Sequence, residues 1–417
     1  MITNFKVNSN EIDKFKKISK QEKEFRIKNL NLFNKNGFPN NKSEDWKFSD
    51  LRDIVSKNFK KLDVQITNSK NINTTLIKDF EHNSLILING NLSSSNFDFE
   101  EKNKIKIKNF HNDNFSDINK YNPLIHLNHA LSDTGYYLEI ADNYKFKKTL
   151  IIYNIFTKEL NENILNSRNK IQIGNNSELH TIDLVVNESK NKFMNNVYEN
   201  VILKENAIYK NICIQNKKSD GFFHKFSKNT LSSKSKYSSF IFPSGLKFNK
   251  LDLEFNLEGE RSECNLQAAS SLNKNDHQEI KTRINHLVPN CKSYQRVKNV
   301  LNSDSKGVYQ GKIFVKDIAQ KTDAYQLSKA LLLNDNSEFN SKPELEIYAD
   351  DVKCSHGSTS GSIDETSIYY LMSRGLNREE SVRLLVSGFL NEIIEMIKSN
   401  SIRKFVQKKI EEQIHGN

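Results

Sequence analysis

The sequence predicts a mainly β protein, in which a long β-rich body lies between two α-helical regions. Short apolar runs separated by polar turns continue from about residue 80 to 355, and helical spacing occurs at both ends of the chain. No convincing helical period longer than three turns interrupts residues 160–350, which excludes a βαβ alternation. A sandwich, a barrel and a β-solenoid all fit this pattern, because no exact repeat distinguishes them.

The first region, residues 1–80, is predicted to be helical. Apolar residues spaced among charges over residues 10–35 predict an amphipathic helix, which Gly37 and Pro39 end. A second helix is predicted over about 48–58. Trp46 is the single tryptophan of the chain, and we expect it to anchor the turn between these helices in the core.

The body, residues 81–360, is predicted to consist of short strands. The clearest strand is 251–258, where apolar and polar residues alternate without a break, so we expect one buried face and one solvated face. Further runs of this kind are 85–88, 149–156, 170–173 and 343–348.

The last region, residues 361–417, is predicted to be helical again. Asp364 and Asn377 are in position to cap two helices, with Glu380 three residues after the second cap. The second helix carries apolar residues at helical spacing and widens beyond one stripe, so it must bury more than one side. Docking onto the β body and binding of a partner protein both remain open.

Composition excludes several classes of protein. The 417 residues are 36% hydrophobic and 27% charged, as in folded proteins, and the absence of a long apolar run argues against a membrane protein. The four cysteines include no Cys-x-x-Cys pair, and no secretory signal is visible, so we expect a cytoplasmic protein. The net charge of +11 comes from scattered lysines, which indicates a solvated surface rather than a nucleic-acid groove.

No motif of an enzyme is present. The segment 307–313 has three residues between its glycines and Ile313 after the lysine, whereas a phosphate loop needs four residues and a hydroxyl side chain there. No nucleophile elbow or His-Glu-x-x-His helix occurs either. We therefore expect no catalytic activity, and any ATP hydrolysis must come from a partner.

One pair of residues has metal-binding chemistry. In an extended segment, Cys354 and His356 project to the same face, and a thiolate beside an imidazole suits iron, zinc or sulfide. Two ligands do not complete a tetrahedral site, so further ligands would have to come from elsewhere. The alternative is a buried cysteine beside a hydrogen-bonded histidine.

Three dense segments resemble the SufB/SufD family of iron–sulfur cluster assembly proteins: 320–326, 328–333 and 341–357. The runs 370–375 and 388–389 are similar to the family as well, and 44–51 resembles its N-terminal Trp-Lys motif. Within the family, the order Lys-Cys-Ser-His-Gly and the length of 417 residues are typical of the shorter of its two branches.

The resemblance implies a right-handed parallel β-helix flanked by N-terminal and C-terminal helical regions. It implies a non-enzymatic scaffold that pairs with SufB, docks the SufC ATPase through residues 361–417, and assists iron acquisition at the SufB interface. A transient iron–sulfur cluster or iron would lie at that interface, near His356 as the metal-associated residue and Cys354, with no permanently bound cofactor. The residues that would bind SufC are Tyr370, Arg374, Gly375, Val382, Leu385, Val386 and Phe389. A SufB-like scaffold that forms a homodimer and a purely structural subunit are the alternatives.

Overall fold

A computed structural model describes residues 2–3, 6–15, 18–60, 62–64, 76–110, 122–215 and 219–415. Within them, the chain winds into a β-solenoid of about seven turns with helices at both ends. The predicted mainly β fold and the parallel β-helix are therefore confirmed. The division of the chain at residues 80 and 360 stays a prediction.

Two long sheets face each other across the solenoid, and strands from one turn to the next pair in parallel. A separate pair, β1 (Ile2–Thr3) and β2 (Lys6–Val7), precedes them. Sheet 1 contains β4 (Asn83–Ile88), β5 (Asn91–Asn96), β8 (Leu150–Phe156), β10 (Glu178–Asn187), β12 (Ile208–Gln215), β14 (Lys236–Pro243), β16 (Glu263–Leu272), β18 (Lys292–Leu301), β20 (Thr322–Leu332) and β22 (Val352–Ser362). Sheet 2 contains β3 (Asp63–Val64), β6 (Ile105–Asn109), β7 (Tyr136–Ile140), β9 (Asn163–Ile173), β11 (Phe193–Leu203), β13 (Ser219–Leu231), β15 (Leu246–Leu257), β17 (His277–His286), β19 (Lys306–Val315) and β21 (Glu338–Ile347).

Asparagines shape the turns between the sheets. Asn143, Asn176 and Asn206 all have positive φ angles of 59°, 55° and 54°, a conformation that asparagine tolerates better than most residues. The amide of Asn176 donates to Asn143, and the amide of Asn206 donates to Asn176, both at 3.0 Å. Some of the many asparagines of this chain thus form a ladder of hydrogen bonds that joins one turn of the solenoid to the next.

The expectation of a solvated face on β15 is wrong. Its apolar side chains point into the solenoid core, but the polar ones on the outer face are buried too. Asp252 forms an ion pair with Lys281 at 3.6 Å, and the Asn256 amide is linked to its neighbours Glu254 and Asn285. The polar side chains of adjacent turns cover one another, so alternation along one strand does not reveal solvent here.

The N-terminal helices pack on the outer face of sheet 2. The predicted helix over 10–35 is divided into a 3-10 helix, Ser9–Lys14, and α1 (Lys20–Asn36), with residues 16 and 17 outside the described ones. Gly37, at φ 66°, ends α1 as predicted. The other helices here are α2 (Leu51–Asn58), α3 (Pro123–Leu131) and the 3-10 helices Glu44–Trp46 and Lys102–Lys104.

Trp46 anchors this region, as predicted. Its side chain is 1% exposed, and its ring lies 4.5 Å from the Lys250 ammonium and 5.7 Å from the His224 ring. Lys250 is itself buried and pairs with the buried Glu279 at 2.5 Å. The carboxylate of Asp45 also forms an ion pair with Lys281 of sheet 2. The segment Glu44–Trp46 is therefore fixed to sheet 2 by packing and by charge.

The C-terminal helices pack on the outer face of sheet 1. They are α4 (Glu365–Ser373), α5 (Arg378–Ile394) and α6 (Asn400–His415). Asp364 and Asn377 are the N-caps, as predicted, and Asn377 forms a capping box with Glu380. One stripe of α5 is buried against the sheet, and the Lys298 ammonium donates to the Phe389 carbonyl oxygen at 2.9 Å.

Candidate functional site

The candidate site lies on the last turn of the solenoid, which β21 and β22 form. Each of these strands ends its sheet, so along the described chain each has one paired edge and one free edge. The side chains of β21 are mostly half-buried, and those of β22 are mostly exposed. This turn therefore presents both backbone edges and inward-facing side chains to the surroundings.

His356 projects from the inner face of β22. It stands in register with Gln326 of β20, whose side chain is buried inside the solenoid. In contrast, the His356 side chain is exposed, because no further turn covers it. Its imidazole has no hydrogen-bond partner within the described part of the chain, so both ring nitrogens are available to an incoming group.

Cys354 shares this face but has a different environment. It stands in register with Ala324 and packs at the edge of an apolar cluster that contains Ile313 and Ala319. Burial raises the pKa of the thiol, and the Asp323 carboxylate raises it further. The protonated thiol is a weaker ligand candidate than the imidazole of His356, because a metal would first have to displace its proton.

The last turn does not form a complete metal site by itself. Among the residues that the structure describes, no three His, Cys, Asp or Glu side chains come together in a group that could hold a metal ion. All four cysteines are free. A metal at His356 would therefore need further ligands from outside this turn, and the role of His356 and Cys354 as ligands stays a prediction.

The residues predicted to bind SufC fall into two groups. Tyr370, Arg374 and Gly375 are exposed on α4 and the turn after it, and the Arg374 guanidinium lies 5.2 Å from the Tyr370 ring centre. The α5 residues Val382, Val386 and Phe389 pack against sheet 1, and Leu385 is half-buried. The binding role of both groups stays a prediction.

Sequence reasoning did not single out two exposed apolar residues on the helical arm, which we define as α4 and α5. Tyr369 on α4 is 64% exposed, and Leu384 on α5 is 52% exposed. Tyr369 directly precedes the predicted Tyr370, and Leu384 is one of the residues that widen the apolar surface of α5. The exposure of an apolar side chain on a helix is set by what the helix packs against, which spacing alone does not give.

The segment 307–313 lies within β19, which begins at Lys306, so it is a strand and not the glycine-rich turn of a phosphate loop. An added Cβ at Gly311 would lie 2.3 Å from the Gln326 side-chain oxygen. This glycine therefore leaves room for the ends of the interior side chains Gln326 and Tyr309. No helix in the described ranges has the length and apolar character needed to cross a membrane.

The described residues thus define a β-helical subunit with an open last turn and helices on both outer faces. The family model described as "SUF system FeS cluster assembly, SufBD core domain" matches residues 155–389. The chain belongs to this family of iron–sulfur cluster assembly proteins.

Individual relatives identify the branch. The iron–sulfur cluster assembly protein SufD of Escherichia coli (strain K12) is 24% identical over 385 residues, which cover 91% of this chain and 90% of that protein. SufD of Bacillus subtilis (strain 168) is 29% identical over 32% of this chain and 30% of its own length. A SufBD family protein of Synechocystis is 30% identical over 51% of this chain and 47% of that protein. Similarity over nearly the whole chain is thus to SufD, the shorter branch that the sequence predicts.

Proposed function

We propose that this chain is the scaffold subunit of an iron–sulfur cluster assembly complex, pairing with SufB through its last turn and docking the SufC ATPase through its helical arm. One observation carries the proposal: the exposed imidazole of His356 lies on the inner face of the last turn, against which no further strand of the described chain packs. Iron or a nascent cluster is then cargo at the interface and not a resident cofactor.

The open edges of β21 and β22 support pairing with a sister subunit. Their free N–H and C=O groups can pair with a strand of another chain. Apolar side chains are exposed beside them, including Tyr348 at 61% and Ile318 at 52%. Large apolar residues on a rim of unpaired strands are typical of a surface that a second protein covers.

The helical arm supports docking of a partner at a separate place. One stripe of α5 is used up by sheet 1, while α4 exposes two adjacent tyrosines and Arg374. Tyrosine and arginine are the residues most enriched at binding hot spots. The helical arm can therefore bind a partner while α5 stays packed on sheet 1.

The chemistry of His356 suits temporary iron binding. A neutral imidazole is a borderline ligand for iron, and protonation releases the metal. Cys354 would act as a second ligand only after losing its proton, and SufB would supply the remaining ligands. This role makes the subunit a participant in cluster formation, whereas the structural alternative limits it to holding its partners.

The test of the metal-handling role is His356→Ala in the complex co-purified with SufB and SufC. The matched control is Ser355→Ala, because Ser355 is an exposed neighbour that projects to the opposite face. Loss of a ligand should weaken iron binding roughly tenfold or more, since even outer partners of a ligand are worth about 10–100-fold. The yield of complex should not change. Iron content equal to the control in an intact complex would favour the structural alternative.

The docking role is tested by Arg374→Glu, with Lys398→Glu as a charge-matched control. Both side chains are exposed, but Lys398 lies beyond the far end of α5. We expect SufC to be lost from the purified complex in the first variant and retained in the second, with SufB retained in both. SufC bound equally by both variants would contradict docking at this end of the arm.

A further inference from the structure

A cavity that contains charged side chains lies inside the solenoid, on strands far in the chain from the last turn. Its volume is about 60 Å³, and strands of both sheets line it. The lining includes two carboxylates, Asp183 and Glu199, the ammonium of Lys225 and the thiol of Cys213. The interior of the solenoid is otherwise largely apolar, so a concentration of charge here needs an explanation.

The charged groups are arranged as one ammonium between two carboxylates. The Lys225 nitrogen lies 2.8 Å from a Glu199 oxygen and 3.9 Å from an Asp183 oxygen. The Asn211 amide donates to Asp183 at 3.1 Å, and the Ser227 hydroxyl donates to Glu199 at 3.1 Å. These contacts satisfy part of the carboxylate oxygens and leave the rest of the hydrogen-bonding capacity facing the cavity.

Two amide oxygens that line the cavity have no hydrogen-bond partner among the described residues. They are the Oδ1 atoms of Asn169 and Asn249, and both side chains are buried. The Asn249 nitrogen already donates to Gln215 at 2.5 Å and to Gln278 at 2.8 Å, which fixes its oxygen in place. Buried amide oxygens are nearly always hydrogen-bonded, because an unpaired one loses its hydration without compensation.

Two side chains inside the solenoid keep accessible surface, which indicates that a small molecule such as water fits beside them. Lys225 keeps 23% of its side-chain surface accessible, and Cys213 is only half-buried, although both face inward. A water molecule therefore has room to touch these side chains inside the solenoid. The cavity has room for several water molecules, because a volume of roughly 10–15 Å³ is enough to admit one.

We propose that this interior cavity is a hydration site, in which ordered water molecules bridge Asn169, Asn249 and the Asp183 carboxyl group. The proposal concerns the interior and is independent of the role of the last turn. A monovalent cation is the competing occupant, because two carboxylates face one ammonium. Burial raises the pKa of Asp183, and Glu199 adds to the rise while Lys225 opposes it. The Lys225 ammonium, 2.8 Å from Glu199 and 3.9 Å from Asp183, already lies between the two carboxylates and repels a second cation, which favours water.

The direct test is a high-resolution crystal structure of the full chain. We expect water density within hydrogen-bond distance of the Asn169 and Asn249 oxygens. Two soaks give the contrary results: xenon bound under pressure would show a dry apolar cavity, and an anomalous rubidium signal would show a cation site. Either result would overturn the proposal.

A solution test compares two cysteines of the same interior. Cys213 lines the cavity, whereas Cys264 is buried among apolar side chains of the core. In Cys213→Ser, water can hydrogen-bond the new hydroxyl, while Cys264→Ser buries one without that help. We expect the fall in Tm to be at least roughly twofold larger for Cys264→Ser. Equal falls would contradict a hydrated cavity at Cys213.

Discussion

The first and last turns of the solenoid end in opposite ways. At the first turn, the terminal strands β5 and β6 run antiparallel to their neighbours, and Leu85, Leu87 and Leu138 next to them are buried. At the last turn, β21 and β22 continue the parallel pairing and then stop with free edges. Within the described residues, the first turn thus ends with a reversal of strand direction, whereas the last turn keeps the parallel pairing that a further strand could continue.

The outer faces of the two sheets also differ between the earlier turns and the last turn. N-terminal helices cover part of sheet 2 and C-terminal helices cover part of sheet 1, and both apolar clusters under them lie on earlier turns. Regions with few buried contacts open most easily and are the ones that partners reorganise. Stability should therefore be concentrated in the covered turns, and binding in the last one.

The largest expected effect breaks the covered part at its buried ion pair. Lys250→Met leaves the Glu279 carboxylate in a site where both partners are 1% exposed. Removing one partner of such a pair costs about 3–5 kcal/mol in the free energy of unfolding, measured by urea titration. The double variant Lys250→Met/Glu279→Gln should recover most of this loss. A single variant as stable as the wild type would mean that His277, 2.8 Å from Glu279, compensates for the lysine.

A matched pair of leucines compares the two ends directly. Leu138 in the first turn is fully buried, and Leu345 in the last turn is half-buried. Leu138→Ala should lower the free energy of unfolding by about 2–5 kcal/mol, because it leaves a cavity in a closed core. Leu345→Ala should cost less than about 1.5 kcal/mol in the isolated subunit. Equal costs for both variants would show that the last turn is already closed.

The smallest effect is acid sensitivity of the covered turns. Burial lowers the pKa of His224 to about 3 and of His286 to about 4, whereas an unfolded histidine titrates near about 6.5. Below that pH the unfolded chain binds protons that the folded chain does not bind, so the free energy of unfolding falls as pH decreases from about 6.5. Each histidine contributes about 1.4 kcal/mol per pH unit. His224→Gln should reduce the slope measured between about pH 5 and 6 by one proton, and an unchanged slope would exclude this cause.

Patterns that depend on neighbours along the chain were readable from the sequence. The caps Asp364 and Asn377, the end of α1 at Gly37 and the burial of Trp46 follow from local chemistry, and the structure confirms them. The position of Cys354 and His356 on one face follows from strand geometry in the same way.

Features that depend on stacking could not be read locally. The buried polar face of β15 and the charged cavity at Lys225 arise from strands about one turn apart, which no single strand pattern records. The length of a turn also varies: register partners are 26 residues apart for Phe222 and Phe248 and 32 apart for Lys306 and Glu338. That variation hides the repeat and left sandwich, barrel and solenoid open.

The stacked register has a consequence for how this chain can change in length. Excising the stretch between two register partners, such as the residues from Phe222 to just before Phe248, removes a single coil and leaves every remaining side chain on its original face. Excising an odd number of residues within a strand would turn inward residues outward along the rest of that strand. Relatives of different size should therefore differ by whole coils, with shorter gains and losses confined to the corners.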